Sequence, residues 1–424
     1  MANLKTIKNG ELHTVYPLLY ASNYDEADMD NRFASLLKTH ANLFSKQDAS
    51  LFSTAGRSEL GGNHTDHNLG KVLAATINLD TIAAVGKRED SKVLLVSEGY
   101  PLVEVDLSNL DKLDSEENTT PALVRGIAAA FKQRGLTIGG WEANTTSRVL
   151  KGSGLSSSAA VEVLCGTIFN HLYNADVLTP VDLAIIGKYS ENEYFGKPSG
   201  LMDQIACANG GIVGIDFKES DKPVVTPVPF SFGEYGYVLA IIDTGGNHAD
   251  LTKEYASIPK EMHQVAAQFG KSNLRDITLQ DFETELPRLR KILGNDRALL
   301  RALHFFNENN RVSAMIEALY KKDMETYLAL VRASGESSFC FLQNCYPSFS
   351  PDEQGISLAI ALTKDFLGEQ STVRIHGGGF AGTIQVYVPI DSLASYTLFM
   401  EKFFGRGSVT PIAIRQQPTC CLSE

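Results

Sequence analysis

An α+β fold in two domains is what this sequence predicts, and three observations carry the prediction. Short apolar, β-branched runs that read as strands are mixed with segments of helical periodicity, without the regular strand–helix repeat of a doubly wound sheet. The chain has 424 residues, long enough for two or three domains with ample core. A charged, proline-containing stretch at residues 218–229 interrupts the pattern near the middle and marks a seam, which places the domains at 1–225 and 226–424.

The elements follow in order. Residues 30–45 put Phe33, Leu36, Leu37, Ala41 and Phe44 on one face of a helix. Residues 50–56 read as a strand, as do the apolar run 72–85 and residues 93–96, with a hairpin-like turn at 87–90 between the last two. Residues 121–134 read as a helix with Pro121 near its first turn. The lone tryptophan, Trp141, precedes a strand and reads as core. Ala160, Val163, Leu164, Ile168 and Leu172 share a face and predict a helix beginning at the serines before them. Another helix ends over residues 190–196, broken by Gly196-Lys197-Pro198-Ser199-Gly200. Past the seam, residues 238–243 form a buried strand, 295–332 are helical at length, and 383–389 alternate as a strand. No internal repeat or low-complexity tract is present in the sequence.

Composition narrows the function. Hydrophobic residues at 43% and charged ones at 21% are ordinary for a globular protein. A net charge of -12 argues against a nucleic-acid partner, which requires a basic face, but not against a nucleotide held by a few local groups. The N-terminal residues lack the apolar core of a secretory signal, and no run of about eighteen apolar residues points to a membrane partner. Six irregularly spaced cysteines do not make a disulfide scaffold, and Cys340 and Cys345 have no histidine cluster beside them for a metal. Reduced thiols and a cytoplasmic location are expected. Oligomeric state is not legible.

The chemistry concentrates in three segments. Val149-Leu150-Lys151-Gly152-Ser153-Gly154-Leu155-Ser156-Ser157-Ser158-Ala159-Ala160 reads as a phosphate-binding loop entering a helix. Gly152 and Gly154 permit close backbone approach, and Ser153, Leu155, Ser156, Ser157 and Ser158 complete a cradle where unpaired helix N–H groups favour an anion. The run Asn63-His64-Thr65-Asp66-His67-Asn68 is densely polar between apolar strands; it lacks the third ligand of a metal site and offers the many short-range donors and acceptors that a sugar needs. Asp203 follows a Pro/Gly turn among Leu201, Met202 and Ile205, so it is either paired with a cation or shifted in pKa.

Together, Gly56-Arg57-Ser58-Glu59-Leu60-Gly61-Gly62 with that polar run, the serine loop, and Arg374-Ile375-His376-Gly377-Gly378-Gly379-Phe380-Ala381-Gly382 resemble, in order, the three motifs of the galactokinase, homoserine kinase, mevalonate kinase and phosphomevalonate kinase family. The first is similar to the sugar-binding signature of galactokinases, and the resemblance covers nearly the whole chain. It implies a two-domain small-molecule kinase with its site in the cleft, ATP and Mg²⁺ as cofactors, and phosphorylation of the anomeric hydroxyl of a hexose, galactose first. It further implies that Asp203 lies against that hydroxyl with Arg57 as its partner, that Ser158 and Glu191 stand near the metal, and that Asn63, His64, Asp66 and Tyr255 contact the sugar. On the residues alone Asp203 is also readable as a turn residue, Glu191 as a solvated helix carboxylate and Tyr255 as an ordinary half-buried tyrosine.

The chain departs from the family pattern at several positions. Asn63 stands for the usual Glu, His67 for Tyr, Glu59 for Asn, Leu150 for Pro, Ala381 for Gly and Thr383 for Cys. These changes bear on which sugar is used, and they admit galacturonate or a related hexose beside galactose. A non-catalytic sensor of sugar and ATP would be expected to lose the serine loop, the Asp or the Arg, and here Ser157, Ser158, Ala159, Asp203 and Arg57 are all present.

Overall fold

The computed structural model describes residues 1–424 apart from Asn23, 150–153, Pro198, Asp221, 247–250 and Glu424. Three helices, α1 (Leu4–Lys8), α2 (Tyr16–Tyr20) and α3 (Glu26–Phe44), open the chain. Asp25 caps α3 by accepting from the Asp28 N–H, and Phe33, Leu36 and Leu37 pack on Leu51, Ile82 and Ala84 of the strands that follow. These are β1 (Ser50–Gly61) and β2 (Lys71–Lys87), paired antiparallel along most of their length. After β3 (Lys92–Ser97) and β4 (Val103–Asp106) come α4 (Thr120–Gln133) and β5 (Trp141–Ser147), then α5 (Ser157–Asn174), α6 (Pro180–Tyr189) and α7 (Met202–Asn209). Trp141 is core, packed among Phe131, Ile168 and Phe169 where α4 and α5 cover the sheet.

β6 (Ile212–Asp216) pairs with the first half of β2 and β7 (Val224–Val228) pairs with β6, while the second half of β2 pairs with β5. The 225/226 division expected from the sequence therefore falls inside β7, a strand of this larger sheet. The rest of the chain builds a four-stranded antiparallel sheet from β8 (Tyr237–Asp243), β9 (Val373–His376), β10 (Thr383–Pro389) and β11 (Val409–Ile412), in the order β11-β8-β10-β9. Its helices are α8 (Thr252–Ala267), α9 (Leu279–Leu293), α10 (Asp296–Tyr320), α11 (Met324–Ser337), α12 (Gly355–Leu367) and α13 (Leu393–Phe404). A short β12 (Cys420–Cys421) then returns to lie beside β1. No helix among the described residues is long and apolar enough to cross a membrane.

Four local outcomes differ from the sequence expectation. The turn at 87–90 does not close a hairpin, because β5 lies between β2 and β3 and pairs with both. The strand expected at 50–56 continues to Gly61; every residue of β1 is buried, so no alternation of burial marks where it ends. The long helical stretch at 295–332 is two helices, because Asp323 caps α11 by accepting from the Thr326 N–H. The helix ending at residues 190–196 does so as a π-helical turn over Ser190–Phe195, a widened geometry that recurs at functional sites.

Candidate active site

The serine-loop side of the site is built on a distortion of β1. The β1–β2 register shifts between Ala55 and Arg57 and again between Glu59 and Gly61, so Arg57 sits between two irregularities that re-aim its side chain. Its N–H donates to the Leu155 carbonyl at 3.1 Å and draws the serine loop against the strand. Its guanidinium donates from Nε to Asp203 Oδ1 at 2.8 Å and from Nη1 to the Gly154 carbonyl. The second oxygen of Asp203 accepts from Ser156 Oγ at 2.5 Å. Ser156 is the residue before α5 and holds φ at 61°, a left-handed conformation uncommon for serine and of the kind stored at functional sites.

Burial alone would push the Asp203 carboxyl up; the Arg57 guanidinium, with help from Ser156 and Lys197, instead holds it below the usual carboxylate range. The Asp203 side chain is 36% exposed and that of Arg57 only 6%, so the carboxylate is the solvent-accessible member of the pair and its counter-charge is buried. Beside them, α5 begins with no side-chain cap and no acid in its first turn, Ser158 being exposed and Ser157 partly so. A helix end of this kind, with N–H groups that no side chain caps, favours an anion. Gly152 and Ser153 of the expected cradle lie outside the described residues.

Glu191 is not a solvated carboxylate. It lies in the π turn with its side chain 5% exposed, and Lys197 Nζ sits 3.0 Å from its Oε1. Its Oε2 accepts from Ser199 Oγ at 2.5 Å and from Gln204 Nε2 at 3.0 Å. The same Gln204 amide donates to Glu162 Oε2 at 2.9 Å. Glu162 Oε1 is buried without a partner among the described residues, and burial, reinforced by Glu191, pushes this carboxyl up to about 8. Sequence reasoning missed Glu162 and Gln204. The signal was available: Glu162 stands four residues after Ser158 on one helix, hence on the same face one turn down.

On the side of the polar run, the chain leaves β1 through Gly62 and turns sharply at His64, where φ is 57°. Asp66 reaches the Gly196–Gly200 turn so closely that a Cβ on Gly200 would lie 2.2 Å from its Oδ2, and only glycine admits the contact. His64 donates from Nε2 to the Gly378 carbonyl at 2.8 Å. Burial, and then the neighbouring His67, lower its pKa to about 4, so the ring is neutral and Nδ1 remains an acceptor. Tyr255, in the first turn of α8, donates to the Gly379 carbonyl at 3.2 Å with its ring over Gly378, where a Cβ would fall 2.5 Å from Cε1.

Asn63 requires a correction. It is fully buried; its Nδ2 donates to Glu59 and to the Gly377 carbonyl, and its Oδ1 accepts from Asn344. Its partners are all protein groups and no atom of it reaches the surface, so in this arrangement Asn63 belongs to the wall behind the site. That wall joins the two sheets: Arg374 donates to the Glu59 carboxylate and carbonyl, and Gln385 Nε2 donates to Ser58 Oγ at 2.7 Å. Arg57, Ser156, Asp203, Lys197 and Glu191 thus form one cluster, Asp66 meets it at Gly200, and His64 and Tyr255 gather on the glycine segment 377–379.

Residues 122–211 match the family described as GHMP kinases N terminal domain, and residues 38–87 match the Galactokinase galactose-binding signature. A galactokinase of Glaesserella parasuis serovar 5 (strain SH0165) is 32% identical over 344 residues, spanning 79% of this chain and 84% of that protein. A galactokinase of Actinobacillus pleuropneumoniae serotype 3 (strain JL03) is 31% identical over 350 residues, with the same coverage of 79% and 84%. In fold, the chain is similar to Lactococcus lactis galactokinase crystallised with galactose, at a TM-score of 0.78 and 24% identity over 92% of this chain and 100% of that one. Methanococcus jannaschii mevalonate kinase follows at 0.60 and 15%, over 87% and 99%. The two-domain α+β fold and the serine loop at the head of α5 are those of the GHMP small-molecule kinases. Within that class, the chain belongs to the galactokinase family. It is a sugar kinase, and ATP is its phosphoryl donor.

Proposed function

We propose that the enzyme transfers the γ-phosphoryl group of ATP to the anomeric hydroxyl of D-galactose. The observation that carries this reading is the ionised, partly exposed Asp203 backed by Arg57 and Ser156 beside the uncapped N-terminus of α5. Such transfer proceeds through a loose transition state, so positioning and charge stabilisation dominate. The oxygen–phosphorus bond to the sugar forms as the bond to the β-phosphate oxygen breaks, and the hydroxyl proton passes to Asp203. Arg57 keeps Asp203 ionised until then and steadies the developing sugar oxyanion. The α5 N–H groups with Ser157 and Ser158 hold the phosphates, while Asp66, His64 and Tyr255 orient the sugar.

Mg²⁺ fits the residues present. No group of three or more His, Cys, Asp or Glu among the described residues is placed to hold a metal, so a cation here would draw most ligands from phosphate and water, as Mg²⁺ prefers. The donors are hard oxygens, and the orphaned Glu162 Oε1 is an unsatisfied buried oxygen next to Glu191. Glu191 and Ser158 would hold the ion, with Glu162 and Gln204 supporting Glu191 from behind. When bound, Mg²⁺ neutralises charge on the transferring phosphoryl group. A cytoplasmic setting is part of the same reading and is supported by six free thiols.

Galactose is favoured over galacturonate because the curated relatives are galactokinases, and because a uronate carboxylate without a cation facing it is costly to bury. A coupled assay of ADP release over a panel of hexoses tests this. Galactose is expected to exceed galacturonate in kcat/KM by at least about tenfold, about 1.4 kcal/mol of transition-state discrimination. A preference for galacturonate overturns the sugar assignment and leaves the kinase intact.

A further inference from the structure

Lys197 lies between Gly196, where φ is 87°, and Gly200, with its side chain 59% exposed and its ammonium turned back onto the buried Glu191. The other cation of the cluster, Arg57, is 6% exposed and held by both Asp203 and the Gly154 carbonyl. Three carboxyl groups, those of Glu162, Glu191 and Asp203, gather around these two cations. Lys197 is the more exposed of the two cations and carries its charge on a long flexible stem.

The oxygens of Glu191 are not equivalent. Oε2 already accepts from Ser199 and Gln204, whereas Oε1 meets only the ammonium of Lys197 among the described residues. A divalent ion arriving at Glu191 finds Oε1 the less encumbered oxygen, and Lys197 is on it. Two cations sharing one oxygen would stand about 3–4 Å apart, a separation at which their repulsion is several kcal/mol at the effective dielectric of a protein surface. The ammonium must then leave. Its stem keeps it near Asp203, whose carboxyl already feels its charge, and so near the point where phosphoryl charge develops.

We propose that Lys197 is a mobile cation that occupies Glu191 in the metal-free enzyme and moves to the transferring phosphoryl group when a divalent ion takes that carboxylate. The proposal rests on Glu191 being the metal's carboxylate, and the test separates the two. Mn²⁺ alone is titrated into the full-length, nucleotide-free enzyme and followed by water-proton relaxation, and kcat is measured in parallel with saturating MgATP and galactose. Lys197→Met, an exposed and nearly isosteric change, should tighten Mn²⁺ binding at least about threefold by removing its competitor. The same variant should lower kcat at least about tenfold with little change in the KM for galactose. Glu191→Gln should weaken Mn²⁺ binding in both the parent and the Lys197→Met background. If Lys197→Met leaves Mn²⁺ affinity unchanged or weaker while Glu191→Gln weakens it, the competition is overturned and the metal assignment stands. Tightening with an unchanged kcat overturns the phosphoryl contact. If Glu191→Gln has no effect, the metal assignment itself fails.

Discussion

Replacing Asp203 with Asn is expected to lower kcat by a factor on the order of 10²–10⁴, the range for a positioned proton acceptor, with galactose and ATP binding within a few-fold of the parent. The amide keeps the shape of the carboxylate but cannot take the hydroxyl proton, and it removes the charge opposite Arg57. A buried guanidinium then faces neutral acceptors, the amide oxygen and the Gly154 carbonyl, in place of its counter-charge, so a lowered Tm should accompany the loss of rate. That stability loss is moderated because Asp203 is partly exposed and water reaches it. The pH dependence has a definite sign. The carboxyl is held below its unfolded value, so the parent keeps this contribution above the ordinary carboxylate range and loses it as pH falls through the depressed folded pKa. The Asn variant lacks that acid-dependent component. Steady-state kinetics with calorimetric binding of each substrate checks the catalytic part. Turnover within about threefold of the parent would be too little for a proton acceptor and would remove Asp203 from that role.

The second large effect is on stability and lies behind the sugar motif. Glu59 and Arg374 are 3% and 0% exposed, 315 residues apart in sequence, and they join the strand of the first motif to the strand of the third. Removing one partner leaves an uncompensated buried charge, so Glu59→Gln and Arg374→Met should each cost about 3–5 kcal/mol. The double variant should cost less than the two singles added together, because it leaves no lone charge. Urea denaturation of the four proteins closes the cycle. Single-variant losses under about 1 kcal/mol, the range of exposed pairs, would mean that this pair does not tie the two sheets together.

This pair also shows what the sequence made legible. Glu59 and Asn63 looked like two separate departures from the family pattern, one replacing Asn and the other Glu. In the structure their side chains touch, with Asn63 Nδ2 at 3.2 Å from Glu59 Oε1, so carboxylate and amide have in effect exchanged positions. Arg374 was visible as a motif residue, but nothing in the sequence tied it to Glu59, because a contact across hundreds of residues leaves no local periodicity. Motif matching carried Asn63 over by position and could not give its direction, which points inward. Arg57 and Asp203 were legible only through the resemblance; spacing alone left Asp203 readable as a turn residue. The helix after the serines was legible from its own apolar face. The end of β1 was not, since a strand buried on both sides shows no alternation, and the seam at residue 225 cut β7 because a short, exposed edge strand that contains a proline and follows a charged run has the composition of a loop. Glu162 and Lys197 were passed over for a related reason. One is a lone acid on an apolar helix face, the other a lone base in a turn, and their chemistry arises only where Glu191 brings them together.

The central claim is transfer of phosphate to the anomeric oxygen of galactose, and the identity of the product tests it most directly. The enzyme is incubated with ATP, Mg²⁺ and galactose, and the sugar product is examined by phosphorus–proton correlation NMR against the ADP formed. The account predicts one phosphate monoester, equimolar with ADP, whose phosphorus couples to the anomeric proton. Phosphorus coupled to a proton at any other carbon, or ADP released without a sugar phosphate, would contradict it.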